Sequence, residues 1–222
     1  MNVLLVYAHD DPSSFTAALN NIAQEVFTQA GDTVVVSDLY GMGFHAIAEK
    51  YDFTQLSGKH FNYMFEQQFA AEQKWAYAPD IIEELQKLQE AELVLFHFPL
   101  WWNAPPAILK GWLDRVLTMG TAWDGDHIFS TGKYRGKTAG VAVAVGEPES
   151  YYVPDGIQKA TVQQMLYPLL HGTLAFCGFN VLEPFVAHDL TAGNEFSRNE
   201  YLRAYREKLE KVKVYPKYLY KY

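Results

Sequence analysis

Cysteine is almost absent. Cys177 is the only one in 222 residues, which excludes an internal disulfide and a cysteine cluster for zinc or for iron and sulfur. Such sparse use suits a reducing compartment. Long apolar runs are missing as well: no stretch of 18 apolar residues occurs, and the opening MNVLLVYAHDD is too short and too lightly flanked for a secretory signal. Positive charge is in deficit, with 18 Lys and Arg against 26 Asp and Glu, a formal charge of −8. That balance disfavours nucleic acid or an anionic membrane surface as the main partner. The expectation is a soluble cytoplasmic protein without a resident metal.

Apolar and aromatic residues are plentiful. A 49% hydrophobic chain of this length, with 15 Tyr, 14 Phe and 5 Trp, can bury one substantial core. The aromatic excess fits a large core, an oligomer interface or stacking surfaces for a flat ligand, and composition alone does not choose among them.

Short apolar or β-branched runs occupy residues 3–8, 33–37, 93–98, 139–145 and 181–186, and read as strands buried on both faces. Helical spacing fills residues 15–29, 79–90, 106–117, 157–176 and 198–212. This alternation predicts a doubly wound α/β fold with five parallel strands in the order 2-1-3-4-5 and helices on both faces. The pattern predicts one domain over residues 1–212, with an aromatic-rich insertion at about 41–77 covering an edge or a neighbouring subunit, and a tail at 213–222.

In such sheets ligands bind at the carboxyl ends of the strands beside the switch in strand order. The loops to search are therefore 9–15, 99–106 and 146–156. AHDDPSSFTAAL, residues 8–19, turns into a helix whose free N–H groups could bind a phosphate, with Ser13, Ser14 and Thr16 adding hydroxyls. A serine that merely caps the helix explains the same letters. Asp10 and Asp11 raise a receiver-domain reading, but the third strand ends in HFPLWW where that reading needs an aspartate. The loop PLWWNAPP is too apolar for polar catalysis by its side chains and suits a planar ligand, although Trp101 and Trp102 could equally plug a core or a subunit contact. Gly146 lets a flat ligand approach the backbone. The hydroxyl of Tyr151 or Tyr152 could stabilise an oxygen that gains charge, or simply face solvent.

AHDDPSSF, FHFPLWWNAPPAILKGWLDRV, GKTAGVAVAVGEPESYY and HGTLAFCGFNVLEP together resemble the flavodoxin-like NAD(P)H:quinone oxidoreductases, the DT-diaphorase family, over roughly residues 1–210. The resemblance implies a homodimeric flavoenzyme that passes two electrons from NADH or NADPH to a quinone by a ping-pong route. It assigns the phosphate and ribose part of FAD to His9, Ser14, Phe15, Thr16 and Ala18. Pro99, Leu100, Trp101, Trp102 and Asn103 would line the flavin ring, and Ala144, Val145 and Gly146 would bring backbone against it. Tyr152 would lie at the flavin's pyrimidine edge, and Arg198 and Leu202 at the adenosine. Trp102, Trp123 and Phe176 would form the substrate pocket, the last two across the dimer interface. Where the family carries a histidine six residues after that tyrosine, this chain has Gln158, a dipole that supplies no proton near neutral pH. Glu147 stands where the family has a second glycine.

FMN could occupy the same ring site as FAD. Two other readings stand beside the quinone reductase: a flavin-binding regulatory partner of a potassium-efflux transporter, which gene neighbourhood or co-purification would reveal, and a flavodoxin-type electron carrier, which the closed PLWWNAPP loop disfavours.

Overall fold

The computed structural model describes residues 1–212; the tail at 213–222 lies outside the described residues. Strands β1 (Asn2–Tyr7), β2 (Thr33–Asp38), β3 (Leu93–Pro99) and β4 (Thr138–Ala144) form a parallel sheet in the order β2-β1-β3-β4. The expected fifth strand at 181–186 is broken. Two short pieces, β5 (Asn180–Val181) and β6 (Phe185–Ala187), pair in turn with β4. Pro184 lies between them and has no N–H to give the ladder.

Alternation along the strands sends residues to two cores. Leu4, Val6, Val94, Phe96 and Phe98 meet α3 (Pro79–Glu90), α4 (Ala107–Val116) and α5 (Val162–Leu169) on one face. Val3, Leu5, Leu93 and Leu95 meet α1 (Phe15–Gln29) and α6 (Glu195–Val212) on the other. Helices on both faces are what a sheet of near-continuous apolar strands requires. No helix among the described residues is long and apolar enough to cross a membrane.

The helix expected at 157–176 begins later, at Val162. The Thr161 hydroxyl accepts the Gln164 N–H, the Gln164 side chain accepts the Thr161 N–H, and this capping box fixes the start. Gln158 thereby sits in the preceding turn rather than on the helix. Pro168 lies within α5, and the chain continues as a π-helix over Leu170–Ala175.

The insertion packs on α3 and α4 rather than over the β2 edge, whose alternate residues stay exposed or half-exposed. Its one long helix is α2 (Tyr63–Glu72). A Cβ on Gly111 would stand 2.1 Å from the Ala46 carbonyl oxygen, so α4 needs a glycine where the insertion backbone crosses it. A buried clasp holds the crossing. Arg115 donates to Asp52 from Nε at 3.1 Å and Nη2 at 2.9 Å, and from Nη1 to Asp80 and to the His45 carbonyl, both at 2.7 Å. The other Asp52 oxygen accepts the Tyr63 hydroxyl at 2.6 Å and the Glu49 N–H at 3.1 Å.

His97 on β3 is wholly buried and shares a 2.8 Å hydrogen bond with Tyr205 of α6, tying that helix to the sheet. Burial pushes its imidazole down to about 3 from the ordinary 6.5. Below about pH 6.5 the unfolded chain binds a proton that the folded chain refuses until pH is near 3. Stability conferred by the neutral ring is therefore complete above pH 6.5 and is lost as pH falls through that window, by up to about 1.4 kcal/mol per pH unit. Urea unfolding between pH 7 and pH 4 should show the loss, and His97→Gln should flatten it while lowering stability at pH 7. An unchanged slope in the variant would remove His97 as the cause.

Candidate active site

Four loops meet at the carboxyl ends of the strands. Backbone bonds from Ala8 N–H to the His97 carbonyl (2.9 Å), Leu100 N–H to Ala144 (2.9 Å) and Val145 N–H to Ala187 (2.8 Å) keep them side by side. Between them lies a cleft of about 480 Å³. Its lining comprises His9, Ser13, Ser14, Phe15 and Thr16 from the first loop, Pro99, Leu100 and Trp101 from the third, and Ala144, Gly146, Glu147 and Tyr152 from the fourth. Leu190, Thr191 and Arg198 close it from the C-terminal side. Most residues assigned by the resemblance to the cofactor are thus brought together.

The helix-capping reading of AHDDPSSF is observed, at a helix start that borders the cleft. The Ser14 hydroxyl accepts the Ala17 N–H at 3.1 Å and caps α1, while Phe15 and Thr16 of the first turn line the cleft. Ser13 is already engaged: its N–H and hydroxyl both reach Asp11 Oδ1, at 2.8 and 2.7 Å. These bonds hold the Asp11 carboxyl below its usual range. Ser13 is therefore a poorer donor to a ligand than its position suggests. His9 Nδ1 accepts the Asp11 N–H at 3.0 Å, so the proton of the neutral ring is on Nε2, available as a donor. Ala18 is half-buried on α1 and bonds to the Ser14 carbonyl.

The paired tryptophans separate. Trp101 and Ala104 exchange two backbone bonds of 3.1 Å around a tight turn whose central residues, Trp102 and Asn103, have φ of 51° and 58°. Two positive φ values define the turn that suits a hairpin, yet a bulky residue there is strained by about 1–2 kcal/mol. Trp101 lines the cleft with its ring centroid 5.7 Å from that of His9, whereas Trp102 is 100% exposed. Full exposure rules Trp102 out as a plug of its own chain's core. Asn103 donates to the Gln158 side-chain carbonyl at 3.3 Å, and neither lines the cleft.

A Cβ at Gly146 would approach Thr191 Oγ1, another lining side chain, to 2.7 Å, so the glycine keeps the cleft open there. Burial first, and Glu147 second, raise the Tyr152 hydroxyl above its ordinary range, so it remains a proton donor through neutral pH. Val145 is buried behind the lining, and Leu202 packs into the α1–α6 core instead of the cleft. Leu190 and Thr191 were not singled out from sequence. The rule that directed attention to three loops applies equally to the loop after the last strand.

This arrangement fits a flavin: a helix N-terminus for phosphate, an indole and apolar wall for a ring, a glycine floor and a hydroxyl at the rim. A flavodoxin-like fold family model matches residues 1–212. The human ribosyldihydronicotinamide dehydrogenase [quinone] is 41% identical, covering 95% of this chain and 91% of its own. The chain belongs to the flavodoxin-like NAD(P)H:quinone oxidoreductase family. The guinea pig member named NAD(P)H dehydrogenase [quinone] 1 is 36% identical over 94% of this chain and 76% of its own. Among solved structures, a proposed quinone reductase from Klebsiella pneumoniae superposes with a TM-score of 0.89 at 35% identity, covering 95% of this chain and 84% of that one.

Trp123 and Phe176, which the resemblance assigns to a substrate pocket, lie away from the first cleft. Trp123 and Phe176 pack edge to face at 5.4 Å in a second cleft of about 470 Å³ between α4, the insertion and the π-helix. That cleft shares no lining residue with the first.

Proposed function

We propose that the protein reduces quinones with electrons from NADH or NADPH at a flavin held in the first cleft, by a ping-pong route, as a homodimer. The observation that carries this reading is the convergence of the α1 N-terminus, Trp101, Gly146 and Tyr152 on one cleft. A bound flavin would supply two-electron chemistry; the chain supplies placement and charge. His9, Ser14 and the first-turn amides of α1 would hold its phosphate, Pro99, Leu100 and Trp101 its ring, and Arg198 the distal phosphate or adenosine of FAD. The Tyr152 hydroxyl donates to an oxygen that gains negative charge. Gln158 holds the turn at Asn103 and offers a dipole only. The open side of the cleft admits one flat substrate at a time, so donor and acceptor use it in turn. The separation of Trp123 and Phe176 from Tyr152 within one chain supports a site completed by the same face of a second copy.

Releasing the bound cofactor and weighing it by mass spectrometry is the first test, with FAD expected. Arg198 lies at the rim, where its Nη2 donates to the Leu190 carbonyl at 2.6 Å. Arg198→Ala should weaken FAD by about tenfold to a hundredfold, the loss of one hydrogen bond from a charged group, and weaken FMN much less. Equal losses for both would place Arg198 away from the adenosine. Steady-state assays with NADH, NADPH and dihydronicotinamide riboside, against one small quinone, identify the donor.

A further inference from the structure

Behind Tyr152 stands a residue with no role so far. His188 follows β6, and its ring lies against the Tyr152 ring with centroids 5.6 Å apart and planes inclined at 45°. Its Nδ1 is buried and has no hydrogen-bond partner among the described residues. A buried imidazole nitrogen without a partner is costly and calls for an explanation. Glu149 and the Glu147 backbone, both from the loop after β4, act on the ring, and Asp189 is next in the chain.

We propose that His188 is a positioning residue that braces the Tyr152 ring and takes a proton from water when negative charge is placed against the Tyr152 rim. Burial holds its imidazole below the ordinary range, and Glu149 and the Glu147 backbone act in the opposite direction, so the empty cleft favours the neutral ring. Added negative charge beside Tyr152 reverses that preference. The inference rests on the quinone-reductase reading for its purpose. Reduction of a quinone to a quinol takes two electrons and two protons, and a nicotinamide donor brings two electrons and one proton as hydride. One further proton must come from solvent. His188 stores that proton beside the rim and gives it up as the charge leaves the cleft, with no change in its own oxidation state. Gln158, outside the cleft lining, has no proton to store.

The test separates bracing from proton storage. His188→Phe keeps an aromatic ring against Tyr152 and removes the titration; His188→Ala removes both. Histidine-labelled NMR of the holoprotein, with the His188 signal assigned by its loss in the variants, should show a titration midpoint that rises by about one unit or more after dithionite treatment. The rate of reduction by NADH should lose its pH dependence between about pH 5 and 7 in His188→Phe while flavin affinity stays within about twofold. His188→Ala should weaken affinity as well. An unmoved midpoint, or a wild-type pH profile in His188→Phe, overturns the proposal. If the chain binds no flavin, the functional reading has failed, and the charge response is read from the flavin-free chain. There Glu149→Gln should lower the His188 midpoint, and an unmoved midpoint overturns the proposal independently.

Discussion

Replacing Arg115 by methionine is expected to cost about 3–5 kcal/mol of unfolding free energy, the usual penalty for stranding one partner of a buried ion pair. Both Arg115 and Asp52 have side chains only 2% exposed. Methionine fills much of the arginine stem's volume, so the loss reports charge and hydrogen bonds more than a cavity. Asp52 would keep only the Tyr63 hydroxyl and the Glu49 N–H. A loss of this size is a large fraction of the roughly 5–15 kcal/mol that holds a typical domain together. Urea denaturation measures it. Adding Asp52→Asn should recover part of the loss by removing the stranded charge, and a double variant no better than Arg115→Met would show that geometry, not charge, dominates. The clasp also holds Tyr63, which lines the second cleft, so sedimentation of Arg115→Met should show the proposed homodimer weakened.

Tyr152→Phe should slow reduction by NADH about a hundredfold, the lower end of the loss seen when one donor to a developing negative charge is removed. The ring is buried against His188 and remains packed in the variant, so flavin affinity should change little. Stopped-flow mixing separates the two quantities. A slower rate with unchanged affinity assigns the hydroxyl to charge stabilisation; an unchanged rate removes Tyr152 from the chemistry. Because its hydroxyl is raised above the ordinary range, the wild-type rate should show no tyrosine ionisation up to about pH 9.

Local chemistry explains which features were legible. The helices at 15–29 and 79–90 match α1 and α3 in extent, since Ser14 caps the first and a proline at the first helical position opens the second. The sheet order followed from uninterrupted apolar strands alternating with helices. The cleft followed from the rule for carboxyl ends, and the first, third and fourth loops all contribute to it. What escaped depends on distant partners. Arg115 and Asp52 are 63 residues apart, and no local pattern announces their pairing. Nor does any pattern assign one tryptophan to the cleft and its neighbour to solvent, because a turn with two positive φ values more often carries Asn-Gly than Trp-Asn. His188 escaped because it touches Tyr152 across two loops rather than along one element.

The central claim is that one cleft serves a hydride donor and a quinone in turn. Anaerobic stopped-flow mixing of the purified holoprotein with NADH or NADPH, with no quinone present, tests it most directly. The flavin absorbance should bleach fully in a single turnover, releasing one oxidised nicotinamide per site, and return when a quinone is mixed in afterwards. A protein whose flavin bleaches only when donor and quinone are present together, or which takes up neither FAD nor FMN, would contradict it.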